Sequence, residues 1–325
     1  MQSETAMHGS PSSRQQVPGP SEAWWETDPL AAGAGLTART AGSGPDVVLV
    51  HGSVGDYRQW DPIACQLRGD YRLTALSRRF HWPHALAAAP RGPRNDAALP
   101  GGAGGDRPLP GPSAPPAGAY TYEAHRDDLV RYLRLRDAPV HLVGHSYGAG
   151  IVLLAALAEP ALLHSIVLIE PAFNSLLPDE AAGLEEELAS RDAMAASVRS
   201  LAASGQHDAA ARCLIDWVQG GPGTFAMLPG WVQTAMRENA ITAGATLAHR
   251  APDVTCADLK RCHVPALVVT GEVTRLYYRL IASRAAGCLA EAASASLPGA
   301  AHMTIVERPV EAAAVLSGFC QAGKR

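Results

Sequence analysis

Residues Val140-His141-Leu142-Val143-Gly144-His145-Ser146-Tyr147-Gly148-Ala149-Gly150 set an apolar run directly against a glycine-flanked serine and then a segment of small residues. The pattern reads as a strand, a sharp turn and a helix, with Ser146 at the apex. A serine there needs a strained backbone, tolerated only when the residues two positions to either side carry no side chain that would collide. The strain lifts the hydroxyl out of the sheet. A lone G-x-S-x-G also fits a tight turn between two buried elements, so its meaning rests on what surrounds it.

The surroundings alternate strand with helix. Val47-Val48-Leu49-Val50 is a continuous, mostly β-branched run between Pro45-Asp46 and His51-Gly52, as expected of a strand buried on both faces. Further strands are expected at 71–76, from Val140, and at 165–169, 266–269 and 293–297. Helices are expected near 60–67, 122–135, 148–158 and 277–290, and from Arg308-Pro309, where a proline in the first turn loses no hydrogen bond. Repeated units of this kind with right-handed crossovers imply an α/β fold, a mostly parallel central sheet with helices on both faces.

Two stretches leave the alternation. Residues 83–118 are rich in Pro, Gly, Ala and Arg without periodicity and read as a flexible excursion; residues 1–22 read as a disordered polar tail. Residues 181–250 carry amphipathic helical patterns broken at Gly220-Gly221-Pro222-Gly223, a helical cap inserted into a core formed by 23–180 and 251–325. The aromatic and apolar residues Trp217, Phe225, Met227, Leu228 and Trp231 in that insertion offer an apolar chamber, with Trp217 and Trp231 as candidate pocket residues. Packing of the insertion on the core is the alternative reading.

A formal charge of -4 gives no basic surface of the kind that neutralises nucleic-acid phosphates or anionic lipid. Neither a nucleic-acid nor a membrane partner is therefore expected, and neither a signal-peptide pattern nor an apolar run of membrane-spanning length stands out. The six cysteines are scattered, which fits small buried hydrophobes in a reducing, cytoplasmic compartment. Cys256, Cys262 and His263 lie close together, but no second pair completes a tetrahedral set. No metal or other cofactor is expected.

Three separated features now align: His51-Gly52-Ser53-Val54-Gly55 after the 47–50 strand, the Ser146 turn, and Pro298-Gly299-Ala300-Ala301-His302-Met303 ahead of Glu307-Arg308-Pro309. In this order and on these elements the chain resembles the α/β-hydrolase family from about Asp46 to Phe319, apart from the excursion. The resemblance implies Ser146 as nucleophile and His302 as the base a serine hydroxyl requires at neutral pH. It also implies oxyanion donors in the backbone N–H groups of Ser53 and Tyr147, with His51 supporting that loop. His145, beside the nucleophile, is read as structural.

The sequence departs from the family pattern at two places. The usual acid position after the 266–269 strand, three residues past Gly271, holds Thr274, which cannot balance an imidazolium. Glu170, at the end of the strand that follows the turn, is the expected acid, since α/β sites assemble at carboxyl strand edges. Glu272 is the fallback. The second departure is Ser77-Arg78-Arg79-Phe80-His81-Trp82-Pro83, where relatives often carry a glycine-rich run. Its loss brings Phe80, His81 or Trp82 toward the pocket mouth, or packs them against the excursion.

The expected activity is hydrolysis of an ester, lactone or thioester of a small hydrophobic acyl substrate through a Ser-His-Glu triad and an acyl-enzyme. A serine at the apex argues against dehalogenase and epoxide-hydrolase chemistry of this fold, which uses an aspartate. A lyase, a cyclase and a carbon-carbon bond hydrolase remain the alternatives, because fold does not fix chemistry.

Overall fold

The computed structural model describes residues 24–83, 114–116 and 118–322. The expected 1–22 tail and most of the 83–118 excursion lie outside the described residues. Among the described residues, one sheet contains β1 (Glu26–Thr27), β2 (Thr37–Ala41), β3 (Asp46–Val50), β4 (Arg72–Ser77), β5 (Val140–His145), β6 (Leu163–Ile169), β7 (Ala266–Gly271) and β8 (Ala292–Leu297). Their spatial order is β1-β2-β4-β3-β5-β6-β7-β8. Strands β3 to β8 pair in parallel, while β1 pairs with β2 and β2 with β4 antiparallel.

The expected α/β architecture is thus present, with β1 and β2 as additions that the sequence pattern does not announce. The reason is local. Thr-Ala-Arg-Thr-Ala in β2 lacks the dense apolar run of a strand covered on both faces, and its position is fixed by partners in β4. By contrast Val48, Leu49, Leu142, Val143, Ile166, Val167 and Leu168 are wholly removed from water. At about 1.5–3 kcal/mol per buried aliphatic side chain, these central strands supply much of the driving force for folding.

Handedness determines the layers. The chain steps from β3 outward to β4, then crosses back over β3 to β5 and onward to β8. Right-handed crossovers therefore put the helix after β3 (Asp61–Leu67) on one face and those before and after β5 (Tyr122–Leu133, Tyr147–Ala158) on the other. The C-terminal helix Pro309–Ala322 packs on Asp61–Leu67, and Tyr122–Leu133 packs on Tyr147–Ala158. The direction of chain progression reverses between β3 and β5, so the loops leaving their carboxyl ends splay apart there and open a crevice.

Between β6 and β7 the described chain forms no strand. It contains the helices Leu184–Ala203, His207–Val218, Gly230–Glu238 and Ala243–Thr246. Cys256, in the short helix Cys256–Lys260, forms a disulfide with Cys288 at the end of Leu276–Cys288. This pair departs from the expectation that most of the cysteines are small buried hydrophobes, and it removes Cys256 from any ligand set with Cys262 and His263. No described helix is long and apolar enough to cross a membrane.

Candidate active site

Strand β5 ends at His145, and Ser146 follows with φ +54° and ψ −118°, between the strand and the helix Tyr147–Ala158. The two glycines of the motif are required by close approach. A Cβ on Gly144 would lie 2.5 Å from the Gly148 carbonyl oxygen, and one on Gly148 would lie 2.4 Å from that of Val50. Both obstacles are backbone and cannot swing aside. The elbow is thus wedged against β3.

Strand β6 ends in register with β5, His145 opposite Ile169, and the next residue is Glu170, also at positive φ (+51°). The Ser146 N–H donates to the Ile169 carbonyl and the Glu170 N–H to that of Val269, each at 2.8 Å. The two side chains therefore leave adjacent strand ends at equivalent positions. His302 comes from the loop after β8, and its Nε2 lies 2.9 Å from Ser146 Oγ. Its Nδ1 lies 3.1 Å from Glu170 Oε2.

Glu170 is fully buried and held from two further directions: the Gly271 N–H donates to Oε1 and the Thr274 hydroxyl to Oε2, both at 2.6 Å. Burial pushes its carboxyl up to about 7, against the Thr274 and Gly271 hydrogen bonds that pull it down. Burial also pushes His302 down to about 3, so the imidazole is neutral and can accept a proton. Glu272, the other carboxylate considered, accepts instead from the Gly299 N–H at 2.8 Å.

Ser53 and Tyr147 line the same cavity as Ser146. Tyr147 opens its helix, so its N–H has no acceptor in the preceding turn. Among the described residues neither N–H has a hydrogen-bond acceptor. The loop that carries Ser53 is fastened by Gln59, whose Oε1 accepts from the Gly52 N–H and whose amide donates to His145 Nδ1. His145 Nε2–H then donates to the His302 carbonyl at 2.9 Å. One chain of bonds thus joins the loop after β3 to the loop after β8.

Ser146 and His302 lie in a cavity of about 360 Å³ under the helices that follow β6, within the usual size of a small-molecule site. Trp217 lines it; its indole N–H donates to Ser190 Oγ. Trp231 does not, because the helix Gly230–Glu238 turns that side toward Gly55, Asp56 and Gln59 in a separate recess. Phe225, Met227 and Leu228 also lie off the cavity, and Met227 is largely exposed. In the 78–82 loop, His81 Nδ1–H donates to the Gly55 carbonyl and Nε2 accepts from the Tyr120 hydroxyl. Trp82 packs edge-on against Tyr57, and Phe80 lies tilted beside Tyr120. None of the three reaches the cavity.

The profile of the alpha/beta hydrolase family matches residues 47–315. The chain belongs to that family. A segment of 146 residues is 28% identical to the uncharacterized hydrolase YraK of Bacillus subtilis (strain 168), covering 45% of this chain and 44% of the relative, so the chain spans under half of that protein. Among solved structures, the hydrolase superposes on a membrane phospholipase A described as a bacterial virulence factor, with TM-score 0.62, 21% identity, and 89% and 83% of the two chains covered. It superposes on carboxylesterase CesB (YbfK) from Bacillus subtilis with TM-score 0.59, 17% identity, and 88% and 87% covered. At these identities the likeness concerns the fold.

Several residues of this hydrolase that hold the site together escape a reading of the sequence. Gln219, just past the helix His207–Val218, accepts from the Met303 N–H and donates to Glu307, which in turn accepts from the Ala301 N–H. Both flanks of His302 are clamped this way. Arg78 is buried, donates to the Gly52 carbonyl and the Tyr120 hydroxyl, and lies 4.8 Å from the centre of the Tyr147 ring. A signal existed only for Arg78, as one of two adjacent arginines at a strand-to-loop exit where a glycine-rich run is expected.

Proposed function

We propose that the protein is a serine hydrolase that cleaves an ester, lactone or thioester of a hydrophobic acyl group through Ser146, His302 and Glu170. The observation that carries the reading is the unbroken chain Ser146 Oγ, His302 Nε2, His302 Nδ1 and Glu170 Oε2, with contacts of 2.9 and 3.1 Å, which presents Ser146 and His302 to one cavity and keeps Glu170 buried behind them. The helices after β6 serve as a cap over this site.

Ser146 Oγ attacks the acyl carbonyl as His302 Nε2 takes its proton, and Glu170 holds Nδ1–H and balances the imidazolium. The N–H groups of Tyr147 and Ser53 meet the developing oxyanion; one such donor is typically worth about 10²–10³ in rate. Collapse of the intermediate expels the alcohol or thiol with the His302 proton and leaves an acyl-enzyme. Water, deprotonated by His302, then releases the acid and restores Ser146. Trp217 supports an apolar acyl group, since its ring forms part of the cavity wall.

Two experiments test the reading. A fluorophosphonate should label Ser146 in the folded protein, and an unlabelled serine would sink the nucleophile assignment. With a chromogenic ester, Glu170→Gln should lower kcat by about 10³-fold or more, as loss of a triad acid does. Glu272→Gln should cost less than about tenfold; the reverse order would move the acid to Glu272.

A further inference from the structure

The wall of the cavity that holds Ser146 is not uniformly apolar. The helix Leu184–Ala203 turns Arg191, Met194, Ala195 and Arg199 toward it, the i, i+3, i+4, i+8 face, so an apolar middle is flanked by a guanidinium at each end. The two arginines stand roughly 12 Å apart along the helix axis at 1.5 Å per residue. Arg250 adds a third guanidinium from the segment after the last helix of the insertion.

Little on the protein neutralises these charges. Asp192 is the only carboxylate among the described lining residues; it contacts Arg191 at 3.3 Å but is 75% exposed, where an ion pair is weak. Arg250 meets Asp253 at 3.7 Å with both side chains in solvent. Arg199 has no ion-pair partner among the described residues. Arg191 is held in place by the Tyr277 ring, 5.4 Å from its guanidinium carbon, and by one N–H donated to Asp192, which orient the five-donor fork toward the cavity it lines.

A cavity that holds Ser146 and is lined by apolar side chains together with three guanidinium groups and a single carboxylate matches a substrate that carries an anionic group beyond its acyl carbonyl. We infer that the substrate is an ester bearing a carboxylate or phosphate remote from its scissile carbonyl. The inference rests on the serine-hydrolase reading of the same cavity and names the substrate class for it. Arginine forks pair with either anion in bidentate geometry, and the binding falls with salt.

The test compares the p-nitrophenyl ester of glutarate with the same ester capped as its methyl ester, which differ only in the remote charge; a third ester ends in a phosphate monoester. The wild-type protein should favour an anionic ester in kcat/KM by about tenfold or more at low ionic strength, with the advantage shrinking as salt is raised. The phosphate arm says which anion is preferred. The double variant Arg191→Gln with Arg199→Gln should bring the ratio of anionic to methyl-capped ester close to one, chiefly through KM. Arg191→Lys with Arg199→Lys should keep part of it. A wild-type ratio at or below one, or a ratio that the Gln pair leaves unmoved, overturns the inference while the hydrolase reading stands. If no ester is cleaved, that reading fails, and calorimetry with glutarate decides the anion site: binding that the Gln pair abolishes supports it, and no binding by the wild type overturns it.

Discussion

Thr274 donates its hydroxyl to Glu170 Oε2 over 2.6 Å, the same oxygen that faces His302 Nδ1. The residue at the family's usual acid position is therefore a ligand of the carboxylate standing on the neighbouring strand end. That hydrogen bond favours the ionised carboxylate and lowers its pKa. Thr274→Val keeps the shape and removes the donor, and a bond to a charged group is worth roughly 1.5–3 kcal/mol. The variant should lose about 10- to 100-fold in kcat, and its acid limb should move to higher pH. Thr274→Ser should restore both, as pH–rate profiles of the three proteins will reveal.

The pH dependence of the unaltered protein has a definite sign. Burial raises Glu170 to about 7 and depresses His302 to about 3, so near neutrality the buried pair gains one proton as pH falls. In the proposed mechanism the reactive form is the one with Glu170 ionised and His302 neutral. Activity should be full above that region and fall as pH drops through about 7. Profiles of kcat/KM between pH 5 and 9 check this; an activity flat down to pH 5 contradicts it.

Gly148 tests the wedge beneath the elbow. Gly148→Ala drives a methyl group to within 2.4 Å of the Val50 carbonyl oxygen and 2.5 Å of that of His51. Overpacking against backbone costs about 1–3 kcal/mol or more. The expected result is a lower denaturant midpoint together with loss of fluorophosphonate labelling. A variant of unchanged stability contradicts the contact.

Gln59 joins the Gly52 N–H to His145, and so the loop after β3 to the His302 loop. Gln59→Leu leaves two buried polar groups without their partner. Steady-state kinetics should show kcat falling by about tenfold or more with KM little changed. The acid limb of the pH profile should also shift, because the carbonyl of the base-bearing residue loses its fixed donor. A purely packing role would lower stability and leave that limb where it was.

Much of this architecture is legible in the chain because its signals are local. The β-branched runs at 47–50 and 166–169 announce buried parallel strands, the small residues around Ser146 announce the elbow, and Gly299-Ala300-Ala301-His302 announces a tight loop that sets His302 beside Ser146. Glu170 is legible because its strand end can be located. Gln59 and Gln219 are not, since their partners stand 86 and 84 residues away and nothing in the spacing encodes the meeting. Trp231 shows the same limit: an aromatic residue in the insertion is easy to find, but which helix face meets the cavity depends on how the helices dock. Thr274 reads as a deficit in the sequence and is a hydrogen-bond donor in the fold.

The grip of Gln219 on the backbone at Met303, and through Glu307 at Ala301, makes roof and machinery mechanically one piece. Any swing that lifts the end of the helix His207–Val218 must first release the hydrogen bonds on both flanks of His302. Under the proposed mechanism, admission of substrate and readiness of His302 are thereby tied together, and replacing the helical insertion would disturb the alignment of His302 along with the shape of the chamber.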